Sequence, residues 1–242
     1  VYVQDQNLDF TVNFEGNVNV TGTPRLALTV GAAARFATYV SGSGTSALLF
    51  RYTPTNLSVT DDYDGNGIAY TTSAIDLTGA TIIDSTSLLA ATVTFTPGVT
   101  TGILVDARTY SYSLAYSSNH VDETAGAITA TLTLTQAPLI NLTFPIAITG
   151  TATLASDYTT TIGASMTVLA GATTTTGTIT VTNDATPENS ESVIVNVTEP
   201  STRTQYIGAV SAAVLTINAS DNPNYPTQIG QTAYSTCAIN QS

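Results

Sequence analysis

The residues best suited to chemistry lie in one late stretch, Val181-Thr182-Asn183-Asp184-Ala185-Thr186-Pro187-Glu188-Asn189-Ser190-Glu191-Ser192-Val193. An alternating run, Thr178 to Thr182, leads into it, and another, Val193 to Val197, leads out. Asp184, Glu188 and Glu191 therefore sit on a β-to-β connection at the end of a sheet. Carboxylates on a turn are hard oxygen donors, and calcium gathers roughly six to eight such oxygens. The chemistry this stretch offers is cation binding.

A second acidic turn, Asp61-Asp62-Tyr63-Asp64-Gly65-Asn66-Gly67, places Asp62, Asp64 and Asn66 at alternate positions, with glycine available for a sharp bend. That is how a calcium loop begins. The closing Glu of a helix-loop-helix site is missing, because Ser73 stands where it would fall. Calcium held by Asp62, Asp64 and Asn66 is one expectation for this turn. A solvated turn made of ordinary turn formers is the other.

Other chemistries lack their residues. The single histidine, His120, lies in Ser118-Asn119-His120-Val121, and no Gly-x-Ser-x-Gly elbow accompanies it. No His-Glu-x-x-His and no Cys/His zinc spacing occurs. A phosphate loop ending in Gly-Lys-Ser/Thr is impossible because all five basic residues are arginine. No residue is assigned a catalytic role, and the expectation is a protein that is not an enzyme. Paired carboxylates could hydrolyse glycosides, so a polysaccharide-active enzyme or its accessory module stays as an alternative. The absence of tryptophan weakens it.

The elements that must position the acids follow from composition. Charged residues make up only 9% of the 242, and Thr, Ser and Asn supply the polarity, so β-branched, half-buried surfaces are expected. The net charge of −12 leaves no basic stripe for phosphates, which excludes nucleic acid and disfavours anionic membranes. The lone Cys237 rules out an intrachain disulfide. The apolar run Ile207 to Ile217 is too short to cross a bilayer and reads as a strand. The chain does not begin with Met and shows no signal peptide, so it reads as a mature fragment or an excised piece.

Strands are expected at 8–14, 25–30, 34–40, 47–52, 68–72 and 91–96. They are separated by Thr21-Gly22-Thr23-Pro24, Ser41-Gly42-Ser43-Gly44 and Asp64-Gly65-Asn66-Gly67. A second set is expected at 108–119, 127–135, 141–149, 166–169, 176–182, 192–198 and 212–218. No helix period of useful length interrupts them. The fold class is all-β: two tandem immunoglobulin-like antiparallel β-sandwiches and a short C-terminal extension.

Three resemblances sharpen this. Val20-Thr21-Gly22-Thr23-Pro24-Arg25-Leu26, Ala37-Thr38-Tyr39-Val40-Ser41-Gly42-Ser43-Gly44-Thr45 and Leu49-Phe50-Arg51-Tyr52 resemble the immunoglobulin-like repeats of large bacterial surface adhesins, over residues 1–106. Residues 107–222 resemble a Calx-beta domain. The match is carried by Glu123 before Gly126, by Gly150-Thr151-Ala152 leading to Asp157-Tyr158, by Leu169-Ala170-Gly171, by the acidic turn, and by a last strand entering Asp221-Asn222. That resemblance implies calcium in the loops at one end, with Glu123, Asp157, Asp184, Glu188, Asp221 and Glu191 as ligands. Asn183 and Ala185, and then Ala219 and Ser220, stand where the family often carries Asp, so one ion or weak binding is expected. A domain whose acids are merely solvated is the alternative. In residues 223–242, a linker precedes Gln228-Ile229-Gly230 and Thr236-Cys237-Ala238-Ile239, which resemble the start of a regulator-of-chromosome-condensation-type propeller repeat.

The function these features imply is a non-catalytic structural or adhesive segment of a large exported bacterial surface protein, extracellular and stiffened by calcium. Its expected partners are neighbouring domains or copies of itself, and a surface glycan or protein, with no nucleic acid and no membrane insertion. The rival is a subunit of an extracellular filament assembled by strand exchange between copies.

Overall fold

The computed structural model describes residues 1–55, 62–200, 206–208 and 212–219, with the backbone alone at 206–208. The described residues are β-strands and turns, with one turn of 3₁₀ helix at Glu123–Ala125 and no α-helix. The protein is an all-β, antiparallel sandwich protein. No helix among the described residues is long and apolar enough to cross a membrane.

The first half contributes β1 (Leu8–Thr21), β2 (Arg25–Val30), β3 (Ala33–Ser41), β4 (Thr45–Tyr52), β5 (Tyr63–Asp64), β6 (Ala69–Asp76), β7 (Thr81–Asp84) and β8 (Val105–Asp106). Six of these form one sheet in the order β6-β2-β3-β4-β1-β7, while β5 and β8 pair as a separate ribbon. Alternation explains the burial. Leu8, Phe10 and Val12 of β1, Leu26, Leu28 and Val30 of β2, and Leu48, Phe50 and Tyr52 of β4 all turn to one face. β1 runs well beyond the expected 8–14. Its register slips between Asn13 and Val18, so its first part pairs with β4 and its last part with β7. The expected strand at 91–96 is reduced to isolated bridges: the Ala91 N–H donates to the Ile82 carbonyl, the Ile75 N–H to the Val93 carbonyl and the Phe95 N–H to the Ser73 carbonyl. Its apolar residues Ala91, Val93 and Phe95 nonetheless pack on the core.

The second half contributes β9 (Tyr110–Tyr116), β10 (His120–Val121), β11 (Ala127–Leu134), β12 (Leu142–Gly150), β13 (Tyr158–Thr160), β14 (Ser165–Val168), β15 (Thr174–Val181), β16 (Glu191–Val197), β17 (Tyr206–Gly208) and β18 (Ala212–Ile217). They make two five-stranded sheets, β10-β18-β16-β12-β14 and β13-β15-β11-β9-β17. Between them lies a second core, built on Tyr110, Leu114, Leu132, Leu142, Phe144, Ile179, Val193, Val195 and Leu215. At about 25 cal/mol per Å² of apolar surface, such burial is the main stabilising term of each half. Two edge pairings run parallel: His120–Val121 beside Thr216–Ile217, and Tyr206–Gly208 beside Tyr110–Tyr112. The strand-to-strand connections at one end of this sandwich carry the acids.

Candidate metal centre

Four backbone pieces meet at that end. Glu123 is buried in the 3₁₀ turn between β10 and β11. Asp157 ends the 151–157 loop, just before β13. Glu188 lies in the β15–β16 connection, and Glu191 opens β16. Residues 218–219, which leave β18, close the group: Asn218 Nδ2 donates to Asp122 Oδ1 at 2.7 Å, and the Ala219 N–H donates to Ser190 Oγ at 3.0 Å.

Asp157 is held in place by its own loop. Its backbone N–H bonds the Thr153 carbonyl at 3.0 Å, and its carbonyl accepts from the Thr182 N–H at 2.9 Å. Its Oδ2 accepts from the Thr153 N–H. The carboxylate is thereby aimed at the β15–β16 connection with little freedom left to it. Only 8% of Asp157 is exposed.

Ligand oxygens of Asp157, Glu188 and Glu191 lie within 4.8 Å of one another, the one such acidic group among the described residues. Each of the four described arginines is paired elsewhere: Arg25 with Asp76, Arg35 with Asp62, Arg51 with Asp9 and Arg108 with Asp106. The cluster therefore has no side-chain cation among those four. The electrostatic result is proton retention. Burial, helped by a hydrogen bond to Asp157 and by the charges of Asp157, Glu188 and Glu123, pushes the Glu191 carboxyl up to about 7. Burial raises Glu188 too, assisted by the charge of Asp157, a hydrogen bond with Glu123 and the charges of Glu123 and Asp184. Glu191 Oε2 is buried and has no hydrogen-bond partner. An unmet buried oxygen inside a cluster of carboxylates is a donor set that suits a hard cation.

The expected ligands thus fall into groups. Asp157, Glu188 and Glu191 converge, and Glu123 joins them through Glu188. Asp184 is exposed and spends Oδ1 on the Thr186 N–H at 2.6 Å, so it adds charge from the rim. Asp221 lies outside the described residues. His120 is an exposed edge residue on β10.

The first-half candidates Asp62, Asp64 and Asn66 have a different setting. Asp62 is buried with Arg35 Nε on Oδ1 at 2.5 Å, while Oδ2 takes the Tyr52 hydroxyl and the Thr55 N–H, the latter at 2.7 Å. Asp64 accepts from the Gly31 N–H on Oδ2 and from the Asn66 and Gly67 N–H groups on Oδ1. Asn66 is exposed. The two carboxylates are met by protein donors, which fix the turn. The Arg35–Asp62–Tyr52 node escaped sequence reading because its members come from three separate segments. The Asp122–Asn218 link escaped for the same reason.

No family model matches the chain, and no curated protein does. Among solved structures it is similar to an apo-form Calx CBD1 domain, at 17% identity and a TM-score of 0.38, over 46% of this chain and 97% of that one. It is also similar to CBD12 from CALX1.2, at 20% identity and 0.37, and to the calcium binding domain CBD12 of CALX1.1, at 18% and 0.38. Each covers 45% of this chain, against 44% and 45% of theirs, so the chain spans under half the length of these two.

Proposed function

We propose that the loop end of the second half binds one calcium ion through Asp157, Glu188 and Glu191, with Glu123 in support. On this reading the chain is a structural or adhesive segment of an exported surface protein, and the ion stiffens it. The observation that carries the proposal is the meeting of three carboxylates within 4.8 Å, one of them with a buried, unmet oxygen. Four acids on three connections can converge only after both sheets have formed, so the ion would bind the folded state alone. At one hundred times its dissociation constant such a ligand adds about 2.7 kcal/mol.

The test is calorimetric titration of the chelated protein with calcium, beside the Asp157→Asn and Glu188→Gln variants. Saturable heat in the parent and its loss in both variants supports the site. No heat at millimolar calcium removes it. Polysaccharide hydrolysis abolished by both substitutions would replace binding with catalysis.

A further inference from the structure

We propose that Arg108 locks the two halves of the chain at a fixed angle, without a metal ion. Only residues 107–109 separate the end of β8 at Asp106 from the start of β9 at Tyr110. A connection of this kind between two separate cores is ordinarily a place of motion. Here it is buried and bonded from both sides. Ala107 is fully buried, and its N–H donates to the Asp62 carbonyl at 2.8 Å. The Asp106 N–H donates to the Tyr2 carbonyl at 2.8 Å, and Asp106 pairs with Tyr63 in the β5–β8 ribbon.

Arg108 spans the junction. Its Nε and Nη2 donate to the two oxygens of the fully buried Asp106, at 2.9 and 3.1 Å. Toward the second half, Nη1 reaches Gln136 Oε1 at 3.2 Å, while Nη2 reaches the Ala137 carbonyl at 3.0 Å and the Tyr110 hydroxyl at 2.9 Å. Gln136 turns its own amide back to the Thr109 carbonyl. Toward the first half, the guanidinium lies over the Tyr63 ring, 3.6 Å from its centroid. The planar fork binds Asp106 and the second half along its edge while its face covers Tyr63 of the first, which an ammonium cannot do. The halves meet closely at Gly65, where a methyl group would stand 3.1 Å from the Tyr63 hydroxyl and 3.3 Å from Leu139 Cδ2 across the junction.

The experiment is a spin-label distance measurement in the full chain, with Cys237→Ser as background and labels at the exposed positions Thr11→Cys and Thr176→Cys. The expected result is one narrow distance distribution, the same with chelator and with millimolar calcium. Arg108→Ala should make it at least twice as broad, Arg108→Lys should broaden it nearly as much, and Tyr63→Phe should leave it narrow. Tyr63→Ala removes only a partly exposed ring, so it decides the matter even where Arg108→Ala fails to fold. A broad distribution in the parent overturns the lock. So does a Tyr63→Ala distribution as narrow as the parent's.

Discussion

Glu191 and Asp157 bring carboxylate oxygens within 4.8 Å of each other although they belong to opposite sheets of the second sandwich, Glu191 opening β16 and Asp157 leading into β13. Two carboxyl groups this close resist ionising together, so a proton is retained between them. Glu191, raised to about 7, is the group that keeps it. Its ordinary value is 4.5, so between about 4.5 and 7 the folded chain binds more protons than the unfolded one. Unfolding free energy then falls as pH rises through that window. We expect the metal-free protein to melt a few degrees higher at pH 5 than at pH 8, for a partly solvated pair contributing on the order of 1–2 kcal/mol. Asp9 and Asp76, held below the usual carboxylate range first of all by their arginine hydrogen bonds, titrate beneath this window. A melting midpoint flat from pH 5 to pH 8 would contradict the retained proton.

Calcium should reverse that slope. An ion held there would require the deprotonated cluster, so it would compete with the proton and gain affinity as pH rises. At pH 8 and saturating calcium we expect the midpoint to exceed the metal-free value by several degrees, for about 2.7 kcal/mol at a hundredfold excess over the dissociation constant. At pH 5 the same addition should do much less. Differential scanning calorimetry at the two pH values reads both effects, and equal shifts would argue against coupling between ion and proton.

Glu191→Gln separates the two roles. The amide preserves size and can donate to Asp157 without a borrowed proton. The metal-free variant should gain about 1 kcal/mol at pH 8 and lose its pH slope. Its response to calcium should fall by more than half. A variant that keeps the parent's slope would place the titrating proton elsewhere.

Asp62→Ala should behave in the opposite way. It strips Arg35, Tyr52 and the Thr55 N–H of a common buried partner. Breaking a buried ion pair from one side costs about 3–5 kcal/mol. Urea denaturation should show that loss, while the calcium response stays at the parent's value. A lost calcium response would restore this turn as a cation site.

Gly150→Ala tests how the corner of β12 sets the site. Gly150 has φ 131°, and a Cβ there would come 2.1 Å from the Ser192 carbonyl oxygen, which also accepts the Thr151 and Ala152 N–H groups. That corner joins the strand bearing Glu191 to the loop bearing Asp157. We expect a loss of about 2–3 kcal/mol in urea denaturation, and weaker calcium binding than in the parent.

Much of this was legible in the chain because alternation is a local signal. Leu8 to Phe14, Arg25 to Val30 and Thr178 to Thr182 declare their buried faces two residues at a time, and the structure forms strands there. The convergence of Asp157 with Glu188 and Glu191 is not local. It came from a family resemblance, since no spacing rule joins a residue of one loop to residues some thirty positions later. Two things stayed hidden. Asp62 and Asp64 had the look of ligands because sequence shows acids without their donors, and the donors Arg35, Tyr52 and Gly31 are supplied by distant strands. The continuation of β1 past Phe14 was masked by Glu15-Gly16-Asn17, turn-forming residues that the structure absorbs in a register slip.

The two parallel edge pairings have a mechanical consequence. β9 enters the second sandwich and β18 leaves it, and each is laid alongside a strand of the same direction. Tension applied between residues 110 and 217 pulls such pairs lengthwise, so their rungs must yield together and not one by one. A sandwich built this way resists abrupt load better than one whose ends peel apart like a zip.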